Sequence, residues 1–315
     1  MHLVSRRAIA PEDVTVSLAE DDAPAWAAGT SYALNEAVVR DHRVYVSAIA
    51  DNLGNDPALE DQGSAAARWL LYRWTNAFSA FDGVLTNPSG AVTGDGTLKG
   101  DQAGYGLDAG ESPLIIDMAV DALDTLLLFG IDAVEVRVIC IDGAGTAVLD
   151  RVAPVSGRTV SSWWEWRSKP FTAGSNKLAV LDVPASTIRV IVALRGASVA
   201  LGEIVAGSRT YVGATLHNGT SGKAVTASRY EFNAYGQLQL VTRPTRNEMT
   251  YACACDAAYW ARIKPLMDRM AGTLVGAVGA AHRPSTIQFG VLGTVDWSEE
   301  LPDEYEFSFT VKGVI

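Results

Sequence analysis

Residues 26–82 constrain this chain more than any other stretch. Trp26, Tyr32, Tyr45, Trp69, Tyr72, Trp74, Phe78 and Phe81 punctuate it, separated by short polar turns at 35–36 and 41–42 and by a turn-rich loop at 52–57. Strands this short cannot bury an ordinary aliphatic core, so ring packing must supply much of the apolar area. Residues 37–40 and 43–47 predict a hairpin about Asp41-His42. Two uses of the rings stay open. Trp26, Tyr32, Tyr45 and Trp69 form an aromatic mini-core, or some of them remain uncovered as a platform on which the C–H face of a sugar packs.

The remainder of the chain has the composition of a folded β protein. It is 48% hydrophobic and 19% charged, which excludes disorder, and its 29 glycines and 12 prolines call for many turns. A net charge of −11 with no basic run longer than Arg6-Arg7 argues against nucleic acid as a partner. Membrane insertion is not expected, because the most apolar run, 113–129, is interrupted by Asp117, Asp121 and Asp124. The N-terminal residues lack the apolar run of an export signal, which predicts a protein made without export. Cys140, Cys253 and Cys255 are odd in number and lack CxxC spacing, so buried thiols are expected rather than a disulfide or a metal site.

From about residue 80 the pattern changes to apolar β runs at 113–118, 133–140, 177–183, 186–194 and 197–205. Val134, Val136 and Val138 alternate with Glu135 and Arg137, a period of two. Such a series predicts an antiparallel, jelly-roll-like sandwich. Residues 121–131 fit a short helix or a buried strand equally. Trp163, Trp164 and Trp166 form a second aromatic concentration, expected at an interface or sandwich edge, with Trp164 and Trp166 on one face if the tract is extended. Strands are expected again at 210–216, 228–232 and 237–243. Residues 256–270 carry helical spacing (Tyr259, Ile263, Leu266, Met270), with Pro265 expected to kink or break the helix. Strands at 286–290, 295–297 and 304–314 close the chain.

The fold class that follows is mainly β. It comprises a small aromatic-rich module, a jelly-roll-like sandwich and a C-terminal β-rich α+β region. The expected divisions are an N-terminal strand and linker over 1–22, the module over 23–75, the sandwich over 76–207 and the last region over 208–315. The N-terminal strand is expected to pair with a later domain or a neighbouring subunit.

Chemistry is sparse. His2, His42, His217 and His282 are scattered without metal-ligand spacing, so neither a metal nor another cofactor is expected. Ser221-Gly222-Lys223 lacks the upstream glycine of a phosphate-cradling loop, since position 217 is His, and no Gly-x-Ser-x-Gly elbow occurs. The turns at 94–97 and 142–145 lack the ligand series of a calcium loop. Carboxylate pairs such as Asp303/Glu304 are not distinguished by spacing from a glycosidase dyad. No catalytic residue is assigned.

Trp26, Tyr32, Val38 and Tyr45, followed by the Asn-x-Pro-type loop and Trp69, resemble the chitin-binding type of carbohydrate-binding module; Asn35 stands where that family has a glycine. Residues 74–82 (Trp-Thr-Asn-Ala-Phe-Ser-Ala-Phe-Asp) are similar to the Asn-Arg-Trp-x-x-Phe-Asp junction of certain tail proteins of bacterial viruses and gene-transfer particles, with Ala77 and Phe78 in place of Arg-Trp. Residues 202–205, 211–213, Ser228, Tyr235-Gly236, Asp296-Trp297 and 309–314 resemble the same proteins. The resemblance implies a virion structural protein at a tail tip or baseplate. Such a protein would be made in the host cytoplasm, assemble into a homo-oligomeric ring and contact other tail and fibre proteins. Its module would serve for docking or for binding a host-surface glycan through Trp26, Tyr32, Tyr45 and Trp69. A polysaccharide-degrading enzyme and a free-standing lectin are the alternatives.

Overall fold

The computed structural model describes every residue except 156–161, 169–173, 233–234, 236, 282, 302–303 and 315, and only the backbone of 166 and 299–301. The chain is mainly β, and its strand pairings within the sheets are antiparallel. The largest sheet has ten strands. Its order is Lys177–Val180, Thr125–Phe129, Glu203–Tyr211, His2–Arg6, Leu274–Val278, Ile287–Leu301, Glu304–Gly313, Thr245–Asp256 and Ala214–Thr215, with Ser221–Thr226 also paired to Thr245–Asp256. A five-stranded sheet follows the order Ala147–Pro154, Glu135–Asp142, Thr187–Arg195, Leu114–Ala119 and Val14–Val16.

These two sheets share one core. Ile116, Met118, Val136, Val138, Val190 and Val192 from the smaller sheet pack with Leu126, Leu128, Ile204 and Ala206 from the larger. The continuous apolar run Thr125–Phe129 is explained by burial on both faces, because Leu127 and Phe129 enter a second core with Val4, Val205, Ile287 and Phe289. Residues 121–124 remain outside the strand, and the tract is not helical. In the smaller sheet Val136 and Val138 are buried as the period of two requires, whereas Val134 precedes the strand and is exposed.

The N-terminal strand lies inside the large sheet rather than at an edge. His2–Arg6 pairs with Glu203–Tyr211 on one side and Leu274–Val278 on the other, and the terminal amine donates to Gly213 O at 2.8 Å. The expected boundary at 207/208 falls within the strand Glu203–Tyr211, and the sheet runs through it. The separate strands expected at 286–290 and 295–297 are one strand, Ile287–Leu301. The helix Ala257–Met270 is capped by the Asp256 carboxylate, which accepts from Tyr259 N at 2.7 Å, and it buries Trp260, Ile263 and Met267 on the large sheet. Pro265 does not break it, as the helix is continuous through that residue.

The aromatic module is a three-stranded sheet of Ala37–Arg40, Arg43–Ser47 and Trp69–Trp74 beside a two-stranded pair, Ser31–Tyr32 with Asn52–Leu53. Its hairpin turns where expected. Asp41 (φ 48) and His42 (φ 62) both adopt the left-handed conformation of a two-residue hairpin turn.

Candidate interaction surfaces

Three of the four rings expected to meet a sugar are closed. Trp69 has no exposed surface, and Tyr32 and Tyr45 are buried with it around Val38. Tyr32 meets Trp69 edge-on at 5.3 Å between ring centroids, and their polar tips are used internally. Trp69 Nε1 donates to Asn55 O at 2.9 Å, and Tyr32 Oη accepts from Ala27 N at 2.7 Å. A stacking site needs an open ring face, and these three have none. Trp26 is half-buried against the same core, with the Arg40 guanidinium 5.3 Å from its ring centre; Arg40 is held by Asp56 at 3.1 Å. The module's exposed apolar surface is instead supplied by Leu53, Leu59, Leu70, Leu71 and Tyr72.

The second aromatic tract is a short helix, Trp163–Ser168, rather than an extended segment. Trp163 and Trp164 are 67% and 68% exposed, and the Arg167 guanidinium lies 5.9 Å from the centre of the Trp163 ring. The side chain of Trp166 lies outside the described residues, as do His282 and Asp303.

The stretch 74–83 joins module to body through several polar ties. Asn76 donates through Nδ2 to Gly90 O at 2.8 Å and accepts from Gly90 N at 2.9 Å, acting as one more rung beside the strand Ser89–Val92. Ala77, Phe78 and Ala80 enter the sandwich core, and His42 packs on Phe78 at 4.0 Å. Past Asp82 the Gly83 amide donates to Glu203 Oε2 at 2.8 Å, and Arg6 Nη2 donates to Phe81 O at 2.6 Å. Arg6 also stands 2.8 Å from Glu203 Oε1, close enough for an ion pair but off the hydrogen-bond direction. Burial pushes the Glu203 carboxyl up to about 8 against the opposing pull of Arg6. Beside this knot lies a cavity of about 310 Å³ lined mainly by Ile9, Trp74, Phe78, Phe81 and Ile204.

A third surface was only partly visible in the sequence. Strands Arg229–Phe232 and Leu238–Val241 form a two-stranded hairpin outside both large sheets. Its base is closed by Ser228 Oγ, which accepts from Arg243 N at 2.9 Å and donates to Arg243 O at 3.3 Å. Every residue of both strands is exposed.

Among the described residues no group of three His, Cys, Asp or Glu side chains is placed to hold a metal ion. One pair of carboxylates shares a cation. Arg189 donates to Asp117 Oδ1 at 2.8 Å and to Asp101 Oδ1 at 2.6 Å, which holds Asp101 below the usual carboxylate range. Two carboxylates held by one guanidinium form a tie between loop and sheet. Cys140, Cys253 and Cys255 are free thiols. No described helix is long and apolar enough to cross a membrane. No protein-family model, curated protein or solved structure matches the chain.

Proposed function

We propose that the protein is a structural component of the tail tip or baseplate of a long-tailed phage or gene-transfer particle. It self-assembles and contacts neighbouring tail and fibre proteins. One observation carries this reading. Two of the stretches that resemble such tail proteins, 74–82 and 202–205, meet in space, where Phe78 and Ile204 share the sandwich core and line one cavity with Trp74 and Phe81. Two resembling stretches far apart in the chain thus form one joint, which a shared architecture predicts.

The module is then an appendage fixed on a β body, and docking suits it better than sugar stacking because Tyr32, Tyr45 and Trp69 are spent on its core. Its exposed leucines and Tyr72, with Trp163 and Trp164, are the surfaces offered to other tail proteins. The test is location. Antibody labelling and mass spectrometry of purified particles should find the chain at the tail end in stoichiometric amounts; particles that lack it, made by cells that express it, would remove the reading.

A further inference from the structure

The hairpin of residues 229–232 and 238–241 has a pattern that the described residues of its own chain leave unused. Its register pairs Tyr230 with Leu240 and Phe232 with Leu238, while Arg229 faces Val241 and Glu231 faces Gln239. Side chains two apart on a strand share a face, so Tyr230, Phe232, Leu238 and Leu240 form one apolar face and the charged residues lie on the other. An amphipathic sheet face of this kind is built to be covered. Here it is bare, since Tyr230 is 71%, Phe232 68%, Leu238 56% and Leu240 60% exposed. A two-stranded hairpin with nothing on its apolar face is marginal in water.

We infer that this hairpin is an assembly arm whose apolar face is covered by a second copy of the same chain. Charge identifies the occupant. Residues 217–248 carry Lys223, Arg229, Arg243 and Arg246 against Glu231 and Glu248, the latter paired with Arg246 at 2.9 Å, a net of +2 in a chain of net −11, so the rest of each copy carries −13. The acidity is concentrated in residues 76–155, with twelve Asp and Glu against three Lys and Arg. A basic, apolar arm is thus attracted to the acidic sandwich of a neighbouring copy. The contact is heterologous, arm to body, and such contacts close into rings when the rotation permits. The four large side chains offer roughly 400 Å² of apolar area, about half of what one partner contributes to a stable interface. The body side of the contact therefore adds further buried surface around the arm.

This inference deepens the self-assembly proposed above and rests on it. Sedimentation equilibrium of the full chain, wild type against the double substitution Tyr230→Ser/Phe232→Ser and against Arg229→Glu/Arg243→Glu, separates the two. The expected result is an oligomer for the wild type, and for each variant a self-association weaker by about tenfold or more with an unchanged unfolding midpoint. The wild-type association should also weaken with added salt. An oligomer of undiminished strength in both variants would overturn the arm while leaving self-assembly intact. A wild-type chain that stays monomeric at about 100 μM, far above the Kd of a standard interface, would overturn both. Variants that lose binding only to a different tail protein would likewise overturn the second-copy assignment.

Discussion

Arg6 and Glu203 stand 2.8 Å apart on adjoining strands of the large sheet, at the point where residues 81–83 come down onto the body. The carboxylate has no exposed surface, while the guanidinium retains some. A single buried carboxyl therefore organises the first strand, the junction and the strand Glu203–Tyr211. Above about pH 8, where that carboxyl ionises, removing Arg6 leaves a buried charge uncompensated, which costs about 3–5 kcal/mol in comparable sites.

The pair gives the protein a pH dependence with a definite sign. Glu203 is raised from 4.5 to about 8 in the folded chain, chiefly by burial. The folded state therefore keeps a proton that the unfolded state has already released between these values. Stability from this group is full below about 4.5 and is lost as pH rises through about 8. Asp82, also raised by burial, adds in the same direction. The unfolding midpoint of Glu203→Gln should fall less than that of the wild type between these pH values, because the amide still accepts from Gly83 and carries no charge. Parallel curves for the two proteins would refute the assignment.

Trp69→Ala should lose about 3–5 kcal/mol in urea unfolding, the usual cost of emptying a buried aromatic site. Trp26→Ala should lose about 1 kcal/mol, since that ring is half-covered. Equal costs for the two would contradict the mini-core. A loss of sugar binding in Trp69→Ala without any loss of stability would restore the platform.

Thiol reactivity follows burial. Cys140 and Cys253 are buried, and their thiols are pushed up to about 11 and about 12. At pH 8 a thiol-exchange reagent should label only Cys255 in the native chain, and slowly, because burial and nearby carboxylates raise it too. All three should react in denaturant. Rapid native labelling of all three would show that the cores around Cys140 and Cys253 open readily.

Gly207 faces Arg6 across the ladder, and a Cβ there would lie 2.0 Å from Ser5 O. Backbone cannot yield cheaply at the centre of a sheet, so Gly207→Ala should cost about 3 kcal/mol or more. Gly143 has open space around its Cβ position, and Gly143→Ala should stay within about 0.5 kcal/mol. Thermal melts of the two variants make the comparison.

Much of the β architecture was legible because period-two alternation is local. The strand Glu135–Asp142, the hairpin at Asp41-His42 and the amphipathic helix Ala257–Met270 all follow from spacing and turn chemistry. Other elements were not legible. The strand Thr245–Asp256 begins with exposed polar residues, and Leu274–Val278 is interrupted by adjacent Gly276 and Ala277, so neither carries a strong hydrophobic period. The tract at Trp163 shows the converse, where three tryptophans resembled a strand edge and the backbone is a helix turn.

The sequence by itself determined the mainly β class, the aromatic concentration at 26–82, the acidic balance and the stretches that resemble tail proteins. Only the tertiary structure decided what the rings do. Whether an aromatic side chain is core or platform depends on what lies over its face, and for Tyr32, Tyr45 and Trp69 that cover comes from the remainder of the module. The same physics works in reverse at Tyr230 and Phe232. Their alternation predicts a buried face, and only the fold shows that among the described residues both side chains stay largely exposed.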